Sequence, residues 1–225
     1  MIDLSGPVQN GMWHYEPPFP EFHLQPLGDV PWAGCTVYCE IFEGLNSQTG
    51  TYLETPAHYY GPKQSYLVDD VPLEQLFQMR CRILQLADFF TGAAEQSDGV
   101  TADMLEQCAG AGQIEPGEAF LVSTGWGRHW LDSCYLEGSP YFSRDAMEWL
   151  VARKPFLLGS DMPRWESRRQ PGGIFPVFYA ANILMLAPCV NLEQAPPSGR
   201  LTVLPLRIPG TCCVPCRAVL VEDII

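Results

Sequence analysis

Positively charged residues are scarce in this chain. Lys and Arg number 13 against 26 Asp and Glu, which gives the 225 residues a formal net charge of −13. A negative field of this size repels nucleic-acid phosphates and anionic lipid surfaces. Binding of nucleic acid, or of a membrane through a basic face, is therefore not expected.

Long apolar runs are also lacking. The longest such stretch, residues 175–190, is interrupted by Pro176, Asn182 and Pro188, and it is shorter than the roughly 20 residues that a spanning helix needs. The opening residues, Met-Ile-Asp-Leu-Ser, have neither the basic nor the apolar region of a signal peptide. A glycine-rich phosphate loop is missing too. We expect a cytoplasmic protein without a membrane span or a nucleotide cofactor.

Cysteine is plentiful, but its pattern predicts no cross-linked framework. Nine cysteines are an odd count, and without a signal peptide they argue against paired disulfides. The Cys213-x-x-Cys216 pair has no second ligand pair at zinc-site spacing. Reduced thiols packed as small apolar residues are the simpler interpretation.

The length suits one domain spanning residues 1–225. Two helices are predicted, from a Thr101 cap to about Cys108 and from a Ser143 cap to about Arg153, with a shorter one over 73–79. Strand-like segments outnumber them, at 2–4, 35–42, 81–87, 119–123, 155–159, 184–186, 201–208 and 217–221. The fold class expected is α/β, a single domain with a mixed β-sheet core and flanking helices.

Residues 11–34 are rich in proline, glycine and aromatic side chains, including Trp13 and Phe19. Each proline removes a backbone donor and restricts its predecessor, so a long helix is excluded here. The segment is either a structural loop over the edge of the core or the wall of an apolar pocket, and the sequence favours neither.

The densest polar cluster lies between Gln48 and His58. Gln48, Tyr52, Glu54 and His58 share even spacing, so in an extended chain their side chains would project to one face. A carboxylate beside an imidazole suits general acid–base catalysis and is also a partial metal-ligand set. By spacing alone, an edge strand with satisfied polar groups is an equally good interpretation.

The cluster resembles the signature of the metal-dependent cyclase family, which includes kynurenine formamidase and isatin hydrolase. That signature reads His-x-Gly-Thr-His-x-Asp-x-Pro-x-His, and this chain matches it at Gly50, Thr51, Pro56 and His58. Short matches elsewhere are Thr124-Gly125-Trp126, Gly159-Ser160-Asp161 and the segment from Pro205 to Ala218. The resemblance covers nearly the whole chain and implies the family's swivelling β/β/α-like fold.

The departures from the family concern its metal. The positions of the signature's metal ligands hold Gln48, Tyr52 and Glu54, and those of the later His and Glu hold Phe175 and Ala187. Phe and Ala offer no ligand atom, and neutral tyrosine is a poor one. We therefore expect no cofactor and no family-type divalent metal. His58 is the retained group, which in the family acts as a general acid or base.

The resemblance implies a cyclase-family enzyme acting on a small aromatic amide, lactam or related carbonyl compound. Either hydrolysis, as in arylformamidase-like relatives, or metal-free cyclisation or dehydration is open. His58 and Glu54 are the predicted catalytic residues; the predicted substrate-binding residues are Gln48, Tyr52, Trp13, Phe19, Trp126 and Asp161. The alternative is a catalytically degenerate member that binds a small molecule or a protein partner. A homodimer or higher homo-oligomer is expected from the resemblance alone.

Overall fold

Seven strands close into a barrel-like ring in the computed structural model, which describes residues 1–28, 32, 37–90, 99–108 and 114–223. The ring uses seven of the twelve strands found in these ranges. In chain order, the twelve are β1 (Ile2–Asp3), β2 (His23–Pro26), β3 (Glu40–Glu43), β4 (Tyr52–Glu54), β5 (Met79–Gln85), β6 (Gly99–Val100), β7 (Ala119–Ser123), β8 (Tyr141–Phe142), β9 (Leu157–Ser160), β10 (Leu184–Ala187), β11 (Ser198–Pro205) and β12 (Cys213–Glu222).

The ring runs in the order β12-β11-β5-β7-β9-β10-β4 and closes because β12 also pairs with β4. The pairs β5–β7, β7–β9 and β9–β10 are parallel, whereas the pairs formed by β4, β11 and β12 are antiparallel. β1 adds to the outer edge of β12. Two small ribbons, β2–β3 and β6–β8, lie apart from the ring. The mixed sheet confirms the predicted fold class.

Four α-helices are present in the described ranges: α1 (Ala57–Tyr60), α2 (Ala102–Gln107), α3 (Arg144–Ala152) and α4 (Ile174–Ala180). Two of their starts were predicted. The Thr101 hydroxyl accepts a hydrogen bond from Met104 N at 3.3 Å, and the Ser143 hydroxyl accepts one from Ala146 N at 3.4 Å. Each satisfies a backbone donor that the first helical turn leaves unpaired. Among the helices of the described residues, none combines the length and the apolar composition that a membrane span requires.

Several sequence-based boundaries need correction. The loop expected over 11–34 contains β2, and the strand expected over 35–42 begins only at Glu40, with residues 35 and 36 outside the described ones. The helix expected over 73–79 is one 3₁₀ turn, Leu73–Leu76, followed by β5. Helix α4, which contains Pro176, was not predicted. Pro176 lies in the first turn, where its missing N–H has no helical partner in any case.

The two faces of the sheet bury separate apolar cores. Leu53 points into one, which fills the interior of the ring with side chains such as Leu121 and Leu186. Tyr52 belongs to the other, beneath α2, α3 and α4. Because side chains alternate along a strand, Tyr52 and Glu54 both leave the ring on the side covered by α4. That side carries the candidate site.

Candidate functional site

A cavity of about 500 Å³ opens beside β4, α1 and α4. Its walls include the polar residues Gln48, Tyr52, Glu54 and His58, the aromatic residues Tyr15, Phe19, Trp165, Phe175 and Tyr179, and a rim of Glu16, Arg164 and Arg168. A cavity that combines aromatic wall residues with converging polar groups is typical of small-molecule sites.

The four residues of the polar cluster meet in this cavity, but not through one extended strand. Gln48 lies in a turn, Tyr52 and Glu54 lie in β4, and His58 lies in α1. Pro56 precedes α1 as its N-cap residue and redirects the chain. A turn from β4 into α1, in which the His58 amide donates to the Thr55 carbonyl at 3.0 Å, brings the His58 side chain back beside that of Glu54.

Glu54 is the buried centre of the site, with 2% of its surface exposed. Its Oε1 accepts a hydrogen bond from the Tyr179 hydroxyl at 2.5 Å, and its Oε2 accepts one from Gln48 Nε2 at 3.4 Å. Burial raises the pKa of this carboxyl, and His58, Tyr179, the Cys213 thiol and Gln48 act in the opposite direction. The partners therefore stabilise a charge that burial disfavours.

His58 sits at the mouth of the cavity. Its Nδ1 lies 3.8 Å from Glu54 Oε2, and 39% of its side chain is exposed. The Cys212 sulfur is 4.0 Å from the same nitrogen. Because Nδ1 faces the carboxylate, Nε2 is the ring atom left for proton exchange with a bound molecule.

The other titratable groups around Glu54 are held in their neutral forms. Burial raises the pKa of Tyr52 and that of Tyr179 well above the ordinary value of tyrosine. Burial likewise raises the pKa of the Cys212 and Cys213 thiols. Since the thiolate is the nucleophilic form of cysteine, neither thiol is activated here. In their neutral forms the phenols are hydrogen-bond donors, as Tyr179 is toward Glu54.

The residues present do not fit the divalent cation that the family resemblance implies. The Tyr52 hydroxyl lies 3.1 Å from that of Tyr15. At the later ligand positions, Phe175 contributes a hydrocarbon ring to the wall, and the buried Ala187 pairs with Tyr52 across the sheet. Within the described ranges, no third His, Cys, Asp or Glu joins Glu54 and His58 closely enough to enclose an ion.

The rim of the cavity is ionic. Glu16 forms ion pairs with both Arg164 and Arg168, and Arg164 Nε donates to the backbone carbonyl of Leu136 at 3.2 Å. Partial burial acts to raise the pKa of Glu16, but its backbone hydrogen bond and the two arginines together lower it. The loop that carries Tyr15 and Phe19 is thereby tied to the opposite wall.

The aromatic and acidic residues predicted to contact substrate divide into two groups. Phe19 lines the cavity, whereas Trp13 lines a small cleft next to it. Trp126 and Asp161 lie outside the cavity wall, which corrects the expected position. Trp126 packs in a separate aromatic cluster, and Asp161 is fully buried, accepting hydrogen bonds from the Thr124 backbone and hydroxyl. Both residues follow strand ends, and there they stabilise the turn after β7.

Sequence reasoning missed Tyr15 and Tyr179. Tyr15 donates to the Pro163 carbonyl at 2.7 Å and closes the hydroxyl network above Tyr52. Tyr179 lies one helical turn after Phe175 on α4. The four-residue spacing would have pointed to Tyr179 only if the helix had been recognised.

Comparison with known proteins identifies the class. A family model named Cyclase matches residues 2–167, so the chain belongs to the cyclase family. No curated protein matches the chain.

Solved structures with the same fold include an isatin hydrolase bound to the product analogue thioisatinate. It is 21% identical, the match covers 99% of this chain and 92% of the other, and the TM-score is 0.80. Isatin hydrolase A from Ralstonia solanacearum is 20% identical over 99% and 91% of the two chains, with a TM-score of 0.79. A predicted metal-dependent hydrolase from Bacillus stearothermophilus is 18% identical over 97% and 96%, with a TM-score of 0.73.

Proposed function

We propose that this protein is a hydrolase or cyclase that acts on a small aromatic amide, lactam or related carbonyl compound without a family-type metal. The observation that carries the proposal is the Glu54–His58 pair, 3.8 Å apart in a cavity of about 500 Å³. An imidazole beside a buried carboxylate can accept and return a proton during catalysis.

In the hydrolytic direction, His58 Nε2 takes a proton from water as its oxygen attacks the carbonyl carbon of the substrate. The same imidazole then returns the proton to the departing nitrogen, and the products are a carboxylic acid and an amine. Glu54 stabilises the imidazolium that forms between these steps, and Tyr179 keeps Glu54 in place. The reverse sequence is a cyclisation with loss of water.

The walls favour a planar substrate. Tyr179 stacks on Phe175, with ring centroids 5.9 Å apart, and on Tyr59, with centroids 4.8 Å apart. Phe19 lies on the opposite loop. Flat aromatic surfaces on a cavity wall offer stacking contacts to a ring-bearing ligand. Aryl formamides and fused lactams are therefore the first compounds to test.

The test is turnover of an aryl formamide and lactam panel by the parent protein after exhaustive chelation. We expect turnover to persist and His58→Ala to lower it by about 10²–10⁴-fold, the scale of a lost general acid–base group. His23→Ala is the matched control, because His23 forms a Glu pair at the same 3.8 Å separation on an exposed ribbon. Activity lost on chelation and restored by a metal would contradict the metal-free route. Unchanged turnover in His58→Ala would contradict the role of His58.

A binding protein without turnover is the second candidate. Phe175 and Ala187 favour it, because they replace two ligand positions with hydrocarbon. Under this alternative, panel compounds would raise the melting temperature of the protein without being consumed. Binding would weaken when Phe175 is replaced by alanine and would be unaffected in His58→Ala.

A further inference from the structure

A second cluster of metal-ligating side chains lies outside the cavity, on the loop that follows β7. One nitrogen of His129, one carboxylate oxygen of Asp132 and the sulfur of Cys134 all lie within 4.8 Å of one another. His129 Nδ1 and Asp132 Oδ2 are 2.7 Å apart. None of the three residues lines the cavity that holds Glu54 and His58.

The backbone holds these three donors in place. The Asp132 amide donates to the His129 carbonyl at 2.8 Å, and the Tyr135 amide donates to the Asp132 carbonyl at 3.0 Å. Trp126 Nε1 donates to the Tyr135 carbonyl at 2.9 Å, and the Trp126 ring packs against the imidazole, with centroids 4.5 Å apart. The loop is thus folded back on itself, and the spacing His-x-x-Asp-x-Cys brings its donors to one side.

We propose that His129, Asp132 and Cys134 bind one zinc ion, with water as the fourth ligand. Imidazole, thiolate and carboxylate are all zinc ligands, and thiolate disfavours Mg²⁺ and Ca²⁺. Zinc–ligand bonds of about 2.0–2.3 Å place tetrahedral donors roughly 3.3–3.8 Å apart. Small side-chain rotations are therefore enough to bring the three donor atoms, now within 4.8 Å of one another, to these separations. Binding releases the thiol proton, and the two positive charges of the ion balance the negative charges of the carboxylate and the thiolate.

The site would stabilise structure. The same loop presents the Leu136 carbonyl to Arg164, which forms part of the cavity rim. A metal at residues 129–134 would hold the loop against that rim. The proposal does not depend on the acid–base chemistry at Glu54, because the two sites share no side chain.

The experiment uses the full chain, kept reduced and free of chelators, titrated with CoCl₂ and then with ZnCl₂. We expect a sulfur-to-cobalt charge-transfer band and tetrahedral visible bands at one ion per chain, displaced by zinc. Cys134→Ser should abolish the charge-transfer band. His129→Gln and Asp132→Asn should each weaken zinc binding by more than about tenfold. Zinc should also raise the melting temperature of the parent but not of Cys134→Ser.

Cys39→Ser is the matched control, because Cys39 is exposed and lies on a different segment. Cys212→Ser and Glu54→Gln report on the cavity, whose acid–base pair lies near Cys212. Either outcome below overturns the proposal: no thiolate band in the parent protein, or a band that survives Cys134→Ser and disappears in Cys212→Ser. Because the readout is spectroscopic and thermal, it is independent of whether the protein turns over any substrate.

Discussion

The hydrogen bond between Tyr179 and Glu54 allows a quantitative test of the site. Tyr179→Phe removes one oxygen atom and leaves the ring in its stack between Phe175 and Tyr59. Glu54 then loses a donor at 2.5 Å while it remains buried, with 2% of its surface exposed. Gln48, at 3.4 Å, is a long and weaker partner for the carboxylate.

The expected cost at neutral pH is about 1–3 kcal/mol in the free energy of unfolding, the range for leaving a buried polar group without its hydrogen-bond partner. For a chain of this length, each kcal/mol corresponds to a shift of roughly 2–4 °C in melting temperature. The variant should therefore melt about 2–12 °C below the parent.

The cost should also depend on pH, with a defined sign. The folded-state pKa of Glu54 is raised above its ordinary 4.5 by burial, and the Tyr179 hydrogen bond acts to lower it. Glu54 thus contributes stability below pH 4.5 that is lost as the pH rises through the folded-state pKa. Removing the Tyr179 hydroxyl raises that pKa further, so the difference between variant and parent grows with pH.

The assay is thermal unfolding of both proteins from pH 4.5 to 8. Tyr59→Phe is the control, since the Tyr59 side chain belongs to the same stack but is 50% exposed. A melting difference that does not change with pH, or one equal to that of the control, would refute the assignment of Glu54 as a buried carboxylate stabilised by Tyr179.

Three further predictions concern the scaffold. Burial raises the pKa of Asp161 from 3.8 to about 6. Its contribution to the free energy of unfolding, about 3 kcal/mol, is therefore complete below pH 3.8 and is lost as the pH rises through 6. Asp161→Asn should remove this slope from the pH dependence of unfolding, and an unchanged slope would contradict the prediction. Ser143→Ala should cost about 0.5–2 kcal/mol in denaturant melts by unpairing the Ala146 amide, whereas a cost near zero would argue against the cap. Gly159→Ala should lower stability by about 1–3 kcal/mol through overpacking, because a Cβ there would lie 2.9 Å from the Leu186 carbonyl oxygen; a variant as stable as the parent would show that the strands can separate.

Local sequence patterns predicted the starts of α2 and α3 and most of the ring strands. The N-caps at Ser143 and Thr101 could be predicted because a cap is a contact between residues within four positions of each other. β12 was predicted only from Arg217, although it begins at Cys213. Its first residues pair with β4, about 160 positions earlier in the chain, and no local pattern carries that information.

The site was predictable where the chain itself brings residues together. Glu54 and His58 are four positions apart, so the short turn between the end of β4 and the start of α1 is enough to bring them together. Tyr179 reaches Glu54 from 125 positions away. Tyr15 reaches Tyr52 from a proline-rich loop whose path the sequence does not specify. Both contacts depend on the closed sheet rather than on a motif.

The closing strand β12 also has a consequence for how the chain reaches this state. It pairs with β1, β4 and β11, and it follows all three in the sequence. During synthesis, β4 and β11 therefore leave the ribosome with unpaired edges, and the ring cannot close until β12 has followed. Open strand edges on a nascent chain can capture other chains, so we expect production of this protein to depend strongly on chaperones and temperature.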